Sequence, residues 1–295
     1  MKRIACGLFL AAALWTLPSP ACSCSGQGPA SALTRPDQTY GVRLSERLVL
    51  GQGAANAHGR YAAFAPSEQD RSLEYVLMVA YRIQRFELAA TLGYGSRKAA
   101  LSDAAERSTG LSDTNLRARF EAADEPMPWQ GGIYPSLALL LTLRLPSAKA
   151  TGLAPRGLGA TELAVGMVLE RSFAEVFRVG LLVELGNRWP DTTLGVDRRL
   201  GLRASAELTL SYFASRDWVL STLLSTRWEG NVRVQQREQS GTAQRITEVG
   251  AAISFQPWTS PFRAGFAQRY APGIDQLSAN TVQSFTSEFW IGYVR

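Results

Sequence analysis

Charged residues recur at every second position along several strand-length runs of the chain. Arg117 and Arg119 alternate with apolar residues in the run 111–123, and Arg203 and Glu207 do so in the run 198–213. Successive residues of a β-strand point to opposite sides, so these side chains share one face. Guanidinium and carboxylate groups that face each other across a lumen can tune the passage of solutes, or can fill it as ion pairs. The pattern selects Arg117, Arg119, Glu162, Glu184, Arg203, Glu207, Arg227 and Glu248.

Two cysteines near the N-terminus form a second candidate for chemistry. Cys22 and Cys24 make a Cys-Ser-Cys that could bind a soft metal such as copper, or could form a strained disulfide in an oxidising compartment. Cys22 could also be lipidated, although Ser19-Pro20-Ala21 is a poor signal for it, and the pair could equally have no chemical role. The sequence contains no Cys-x-x-Cys-His, so covalent haem is not expected. No other cofactor is indicated.

The single histidine, His58, is the third candidate. Lipid hydrolases of the barrel type use a Ser–His pair, and His58 lies beside Asn56 and Gly59 in a long connection. The sequence has no Gly-x-Ser-x-Gly, no phosphate loop and no dinucleotide fingerprint. We therefore interpret His58 as a loop residue and expect that the chain is not an enzyme, with a lipid hydrolase as the alternative.

Composition limits the class of protein only in part. The 295 residues carry a net charge of +6, and 46% of them are hydrophobic, which suits a soluble protein and a membrane barrel equally. The arginines are scattered singly along strands, whereas nucleic-acid-binding proteins cluster them on one surface or helix. We therefore expect no nucleic-acid partner.

The N-terminus has the features of a secretion signal. Met1-Lys2-Arg3 is followed by an apolar stretch to Leu17 and then by small residues. This stretch is too short to span a bilayer as a helix. We predict a signal peptide over 1–21, a periplasmic tail over 22–38 and one large β domain over 39–295.

The β domain is predicted from alternation with a period of two. The residues Leu73, Tyr75, Leu77, Val79, Tyr81 and Ile83 share one face, and the next run continues in the same way after a turn at Gln84-Arg85. Such runs reach the length that a tilted strand needs to cross a bilayer. We predict twelve strands, over 40–51, 71–83, 86–96, 111–123, 132–145, 159–172, 176–188, 198–213, 218–232, 244–256, 262–271 and 284–295.

The connections between these strands are alternately short and long. The long ones are 52–70, 97–110, 146–158, 189–197, 233–243 and 272–283, and aromatic residues such as Tyr81, Phe86, Phe177 and Trp218 lie beside the short ones. Short periplasmic turns, long outer loops and an aromatic girdle are typical of outer-membrane barrels. The sequence therefore predicts an antiparallel up-and-down transmembrane β-barrel of about twelve strands with its apolar face toward lipid. Period alone would also allow a soluble barrel with the apolar face inside.

Several short motifs resemble transporter-like outer-membrane barrels of the phenol-degradation-pathway type, which are distantly related to hydrophobic-compound channels. They are Gly110-Leu111-Ser112-Asp113, Leu143-Arg144-Leu145-Pro146-Ser147, Gly157-Leu158-Gly159-Ala160-Thr161 and the N-terminal Cys-Ser-Cys. The resemblance covers most of the chain after the signal peptide, although Ser112 replaces a glycine of the pattern. It implies a barrel that transports small molecules, and it defines the substrate poorly.

We therefore expect a channel or transporter for small molecules in the outer membrane of a Gram-negative bacterium. Its partners would be membrane lipid, the outer-membrane assembly machinery and a small solute. Arginine outnumbers glutamate on the inner face, which favours anionic or polar aromatic solutes. Inward-facing glycines should leave room for them, namely Gly93, Gly166, Gly180, Gly201, Gly250, Gly265 and Gly292. A structural barrel, or one that assists metal handling through Cys22 and Cys24, is a further alternative.

Overall fold

A computed structural model describes residue 34 and residues 38–101, 104–125, 134–148, 154, 156–157, 159–173, 176–193, 196–257 and 259–295. The predicted signal peptide, Cys22 and Cys24 lie outside the described residues. Of the predicted tail, the structure describes Thr34 and Gln38. Among the described residues, no helix is long and apolar enough to cross a membrane.

The described residues form eighteen strands, which we number β1 to β18 in chain order. They are Tyr40–Ala55, Tyr61–Ala63, Gln69–Ile83, Phe86–Leu101, Ala104–Leu111, Thr114–Ala123, Ser136–Leu145, Glu162–Phe173, Phe177–Arg188, Asp191–Thr193, Val196–Arg199, Arg203–Phe213, Trp218–Glu229, Arg233–Val234, Arg237–Glu238, Gln244–Phe255, Phe262–Tyr270 and Thr281–Val294.

Twelve of these strands close into an antiparallel barrel. In order around the barrel they are β1, β3, β4, β6, β7, β8, β9, β12, β13, β16, β17 and β18. The ring closes because β18 pairs with β1, from Gly41 opposite Val294 to Ala55 opposite Thr281, with one register shift between Gly51 and Gly53. The predicted fold and strand number are therefore confirmed.

One predicted loop is wrong. Residues 97–110 do not form a long loop, because β4 continues to Leu101 and β5 pairs with it, from Tyr94 opposite Leu111 to Leu101 opposite Ala104. The part of β4 near the short turn, Phe86–Thr91, pairs instead with β6. β5 and β6 therefore act as one interrupted strand beside β4. The pairing of β4 with β5 extends the barrel wall beyond residue 96, where the predicted strand 86–96 ends.

The predicted strand 198–213 is also too long. β12 begins at Arg203, and the preceding Val196–Arg199 belongs to a separate four-stranded sheet built from two long connections, with Arg199 opposite Arg233. Between the two strands, a Cβ atom on Gly201 would collide with the main chain of Gly230. Gly201 therefore lies outside the barrel strands, in close contact with Gly230, and does not face the lumen from a strand.

The apolar face points outward and the charged face points inward. Leu208 and Leu210 on β12 are each 46% exposed, whereas Arg203 and Glu207 on the same strand are buried. Glu46 is an exception, since it is exposed on the outer face between Phe289 and Tyr75. Because the exposed apolar face encircles the barrel, the soluble arrangement with an apolar interior is wrong for this chain.

Aromatic side chains lie around the end of the barrel where the turns are short. Among the described residues, five pairs of aromatic rings lie close together there. The distances between ring centroids are 6.0 Å for Tyr40 and Tyr293, 5.4 Å for Phe262 and Tyr293, 4.7 Å for Phe86 and Phe120, 5.1 Å for Phe177 and Tyr212, and 5.0 Å for Trp218 and Phe255. Aromatic rings in this position favour a membrane–water interface. Both chain ends of the barrel domain lie at the same rim, since Thr39 N donates to Arg295 O at 2.6 Å.

The outward position of Leu208 leads to a test of the lipid-facing surface. Leu208 lies midway along β12 and Leu202 lies just before its long-loop end, and both side chains are about half exposed. We expect Leu208→Arg to lower the free energy of unfolding from lipid vesicles by about 2–4 kcal/mol, and Leu202→Arg by about 0–1 kcal/mol. Urea titration followed by tryptophan fluorescence measures both. Equal costs at the two depths would contradict a lipid-facing wall.

Candidate functional site

A cavity of about 1000 Å³ extends along the lumen. Val294 and Arg263 line it near the short-turn end, and Asp70 and Asn280 line it near the long-loop end. Among the described residues, ten arginines and six carboxylates contribute to its wall. They are Arg43, Arg47, Arg97, Arg117, Arg144, Arg156, Arg203, Arg227, Arg263 and Arg269, with Asp70, Glu74, Asp113, Glu184, Glu248 and Glu288.

Alternating ion pairs organise the cavity wall where the barrel closes. Glu288 on β18 accepts hydrogen bonds from Arg43 at 2.5 Å and from Arg47 at 3.2 Å, both on β1. Arg47 also lies 3.5 Å from Glu74 on β3. The Arg43 guanidinium stacks over the Trp290 indole, 4.8 Å from its centroid. These contacts hold the guanidinium groups against the wall and leave the space beside them open.

The inward glycines do not simply leave empty space. A Cβ atom on Gly265 would lie 2.5 Å from the Trp290 indole, and one on Gly166 would lie 2.7 Å from Cγ of Glu184. These glycines therefore accommodate large side chains from the neighbouring strand, which lie flat along the wall. The room that the sequence predicted is partly taken by the charged residues themselves.

A buried ion-pair network lies against the wall that β8, β9, β12 and β13 form. Glu162 contacts Arg188 at 2.6 Å and Arg203 at 3.0 Å, and Arg188 also contacts Glu229 at 2.8 Å. Glu162 and Arg188 are almost completely buried. Arg203 additionally approaches Glu184 at 3.8 Å. The charges of this network are compensated, so it acts as a polar core beside this part of the wall.

A residue of the N-terminal tail lies inside the barrel near the short-turn end. Thr34 is fully buried, its main-chain N donates to Glu87 Oε2 at 2.9 Å, and its hydroxyl contacts the same carboxylate. Arg82 Nε donates to the Thr34 hydroxyl at 3.1 Å, and Arg82 also pairs with Glu121 at 3.4 Å. Part of the tail therefore occupies the lumen at this end of the barrel.

The eight predicted lumen residues divide into two groups. Arg117, Glu184, Arg203, Arg227 and Glu248 line the cavity. The other three are buried in ion pairs and do not line it: Arg119 lies 2.8 Å from Glu121, Glu162 lies 2.6 Å from Arg188, and Glu207 lies 3.5 Å from Arg269. Whether solutes pass along any of the eight stays a prediction.

Sequence reasoning missed several cavity residues. Arg43, Arg47 and Arg269 occupy inward positions that the same period-two rule identifies once their strands are in register. Arg156 carries no such signal, because it comes from the connection between β7 and β8 and reaches Ser112 Oγ at 3.1 Å. Partial burial lowers the pKa of the Arg156 guanidinium from its ordinary value.

The residues that could support the two rival chemistries are His58 and any group of metal-binding side chains. His58 is exposed, and its hydrogen bonds among the described residues use its main chain, with N donating to Asn56 Oδ1 and O accepting from Gln276 Nε2. No group of three or more His, Cys, Asp or Glu side chains within the described ranges could hold a metal ion. Metal binding by Cys22 and Cys24 stays a prediction, since both lie outside these ranges.

Solved structures with the same fold include several outer-membrane barrels. An outer-membrane channel from Pseudomonas putida F1 matches with a TM-score of 0.76 at 14% identity, over 92% of this chain and 100% of that one. The NanC porin has a TM-score of 0.50 at 10% identity, over 86% and 98% of the two chains. The β domain of the Bordetella autotransporter Brka has a TM-score of 0.51 at 10% identity, over 87% and 100%.

These likenesses show the fold, and at that level they confirm the resemblance to outer-membrane channels. No protein-family model matches the sequence, and a search of curated proteins finds no match either. The chain therefore shares the barrel fold of these proteins.

The buried network leads to a test of what fills the lumen. Glu162→Gln leaves Arg188 and Arg203 without their shared carboxylate, so we expect a loss of about 3–5 kcal/mol in the free energy of unfolding. The matched control is Glu238→Gln, because Glu238 and Arg233 form an exposed pair at 3.8 Å. Exposed pairs contribute about 0–1 kcal/mol, so the control should change little. Similar effects of both substitutions on urea unfolding would contradict a compensated buried network.

Proposed function

We propose that this chain is an outer-membrane channel that passes small solutes, with a preference for anions, along the arginine-lined cavity. The observation that carries the proposal is the cavity itself, which extends along the lumen and is lined by more arginines than carboxylates. Barrels of about eight strands fill their interior with side chains, whereas twelve strands enclose more space. Both the buried ion-pair network and the cavity fit inside a barrel of that size.

The arrangement of charge supports a preference for anions. Arg144 Nε donates to the amide oxygen of Asn115 at 3.0 Å, and Arg156 donates to the Ser112 hydroxyl, so both guanidinium groups bond to neutral partners there. Arg227 is half exposed and approaches Glu229 only at 3.6 Å. Guanidinium groups on the wall of a narrow, low-dielectric lumen raise the local concentration of anions and repel cations.

The proposed location is the outer membrane of a Gram-negative bacterium, reached through the signal peptide over 1–21. The apolar outer wall and the aromatic rim support contact with lipid on all sides of the barrel. The barrel would be inserted by the outer-membrane assembly machinery. The solved neighbours that are described as an outer-membrane channel and a porin support the same activity for this chain.

Reversal potentials across a planar bilayer with a salt gradient test the anion preference. We expect the wild type to favour chloride over potassium, and Arg227→Gln and Arg47→Gln each to shift the potential toward cations. Both arginines line the cavity and have partly exposed side chains. The selectivity should weaken in about 1 M salt, where the screening length falls to about 3 Å.

Two further variants control this measurement. Glu248→Gln removes a cavity carboxylate and should shift the potential in the opposite direction. Arg216→Gln removes the same charge as the test variants, but from an exposed turn at the short-turn end, and should leave the potential unchanged. A cation-selective wild type, or an equal shift in Arg216→Gln, would refute the arginine-based preference.

We expect Thr34, which is buried inside the barrel, to narrow the pathway at the short-turn end. A chain that keeps its signal peptide but lacks residues 22–36 should therefore show a larger single-channel conductance. Thr34→Val is the matched control, because it keeps the tail and removes only the hydroxyl contacts to Arg82 and Glu87. Unchanged conductance after the deletion would show that the tail does not obstruct the pathway.

A further inference from the structure

Three basic side chains form a row on the outer wall of the barrel, toward the long-loop end. Arg71 on β3 lies directly opposite Lys98 on β4, and Lys98 lies directly opposite Arg107 on β5. All three residues are exposed. We call this row the cationic ladder. Neighbouring strands lie about 4.8 Å apart, and like charges placed directly opposite each other destabilise a sheet.

The cationic ladder is not compensated within the described part of the chain. No ion pair or hydrogen bond from its three side chains to any other residue is found there. The inward face of the same strands differs, because Arg97, next to Lys98, pairs with Asp70 at 2.6 Å. The strands therefore neutralise the charge that faces the lumen and leave the charge on the outer wall available to an anion.

The height of the cationic ladder on the wall indicates which anion it meets. Tyr75 and Tyr94 are exposed and lie opposite each other on the same two strands, four residues nearer the short-turn end. Four residues correspond to about 13 Å along a strand, or about 10 Å along the membrane normal for a tilt of about 40°. Exposed tyrosines mark the boundary of the hydrocarbon region. The cationic ladder then lies at the level of the lipid headgroups.

We propose that the cationic ladder binds the phosphate groups of lipopolysaccharide, the phosphorylated glycolipid of the outer leaflet. The inference depends on the proposed outer-membrane location, with the long loops outside. Each phosphate group carries more than one negative charge near neutral pH. Arginine binds phosphate oxygens through two parallel N–H donors and lysine binds them as a point charge, so a row of both can hold adjacent phosphates. The bound lipid would relieve the repulsion between the three strands.

Binding of fluorescent bisphosphorylated lipid A to the purified, folded chain in detergent tests the proposal. The test variant carries Arg71→Gln, Lys98→Gln and Arg107→Gln. The matched control carries Arg60→Gln, Arg233→Gln and Arg237→Gln, which remove the same charge from other exposed positions on the long-loop side. We expect the test variant to bind at least about tenfold more weakly than the wild type, and the control to bind within about twofold of it.

Further measurements distinguish the phosphate groups of the lipid from free phosphate as the bound anion. Lipid A without phosphate groups should bind the wild type as weakly as bisphosphorylated lipid A binds the test variant. Equal affinity of the wild type and the test variant for bisphosphorylated lipid A would overturn the proposal. It would also be overturned if free inorganic phosphate displaced lipid A at concentrations similar to that of the lipid, because the cationic ladder would then bind phosphate without regard to the lipid. Single-channel conductance of the same preparations is measured separately, so failure of the channel function and failure of lipid binding are distinguishable.

Discussion

The pairing of β18 with β1 is the contact on which the rest of the structure depends. A strand edge facing hydrocarbon would leave a row of main-chain N–H and C=O groups without partners, each at a cost of several kcal/mol. Closure removes that edge, with Leu48 opposite Ser287 near its centre. Once the ring is closed, alternate residues of every strand face either lipid or lumen. The outward leucines and the inward arginines and glutamates are two consequences of the same pairing.

Closure of the ring also brings many charged side chains together in the confined space of the lumen. Some of them neutralise each other, as Glu162 does between Arg188 and Arg203. Elsewhere, contacts such as that between Arg43 and Trp290 hold guanidinium groups against the wall of an open cavity. A barrel of twelve strands is large enough for both, and we propose that this division leaves a charged pathway through the membrane.

Local patterns predict the strands well, because alternation and turn length are properties of neighbouring residues. The number of strands, their faces and the aromatic rim follow from such patterns. What the sequence could not predict depends on contacts between distant residues. Gly201 approaches Gly230 just before β12 begins, the pairing of β4 with β5 makes a predicted loop part of the barrel wall, and Thr34 bonds to Glu87 across 53 positions of sequence. Contacts between distant residues also decide which charged side chains of the lumen form buried ion pairs and which line the cavity.

The account depends most directly on whether the lumen of the wild-type protein conducts. The measurement is single-channel current after insertion of the purified, refolded chain into planar bilayers, with swelling of liposomes in small solutes as its companion. The account predicts discrete conductance steps at low voltage, together with swelling. If no current is seen at any voltage and liposomes that contain the folded barrel do not swell, the lumen is closed and the proposed channel function is wrong.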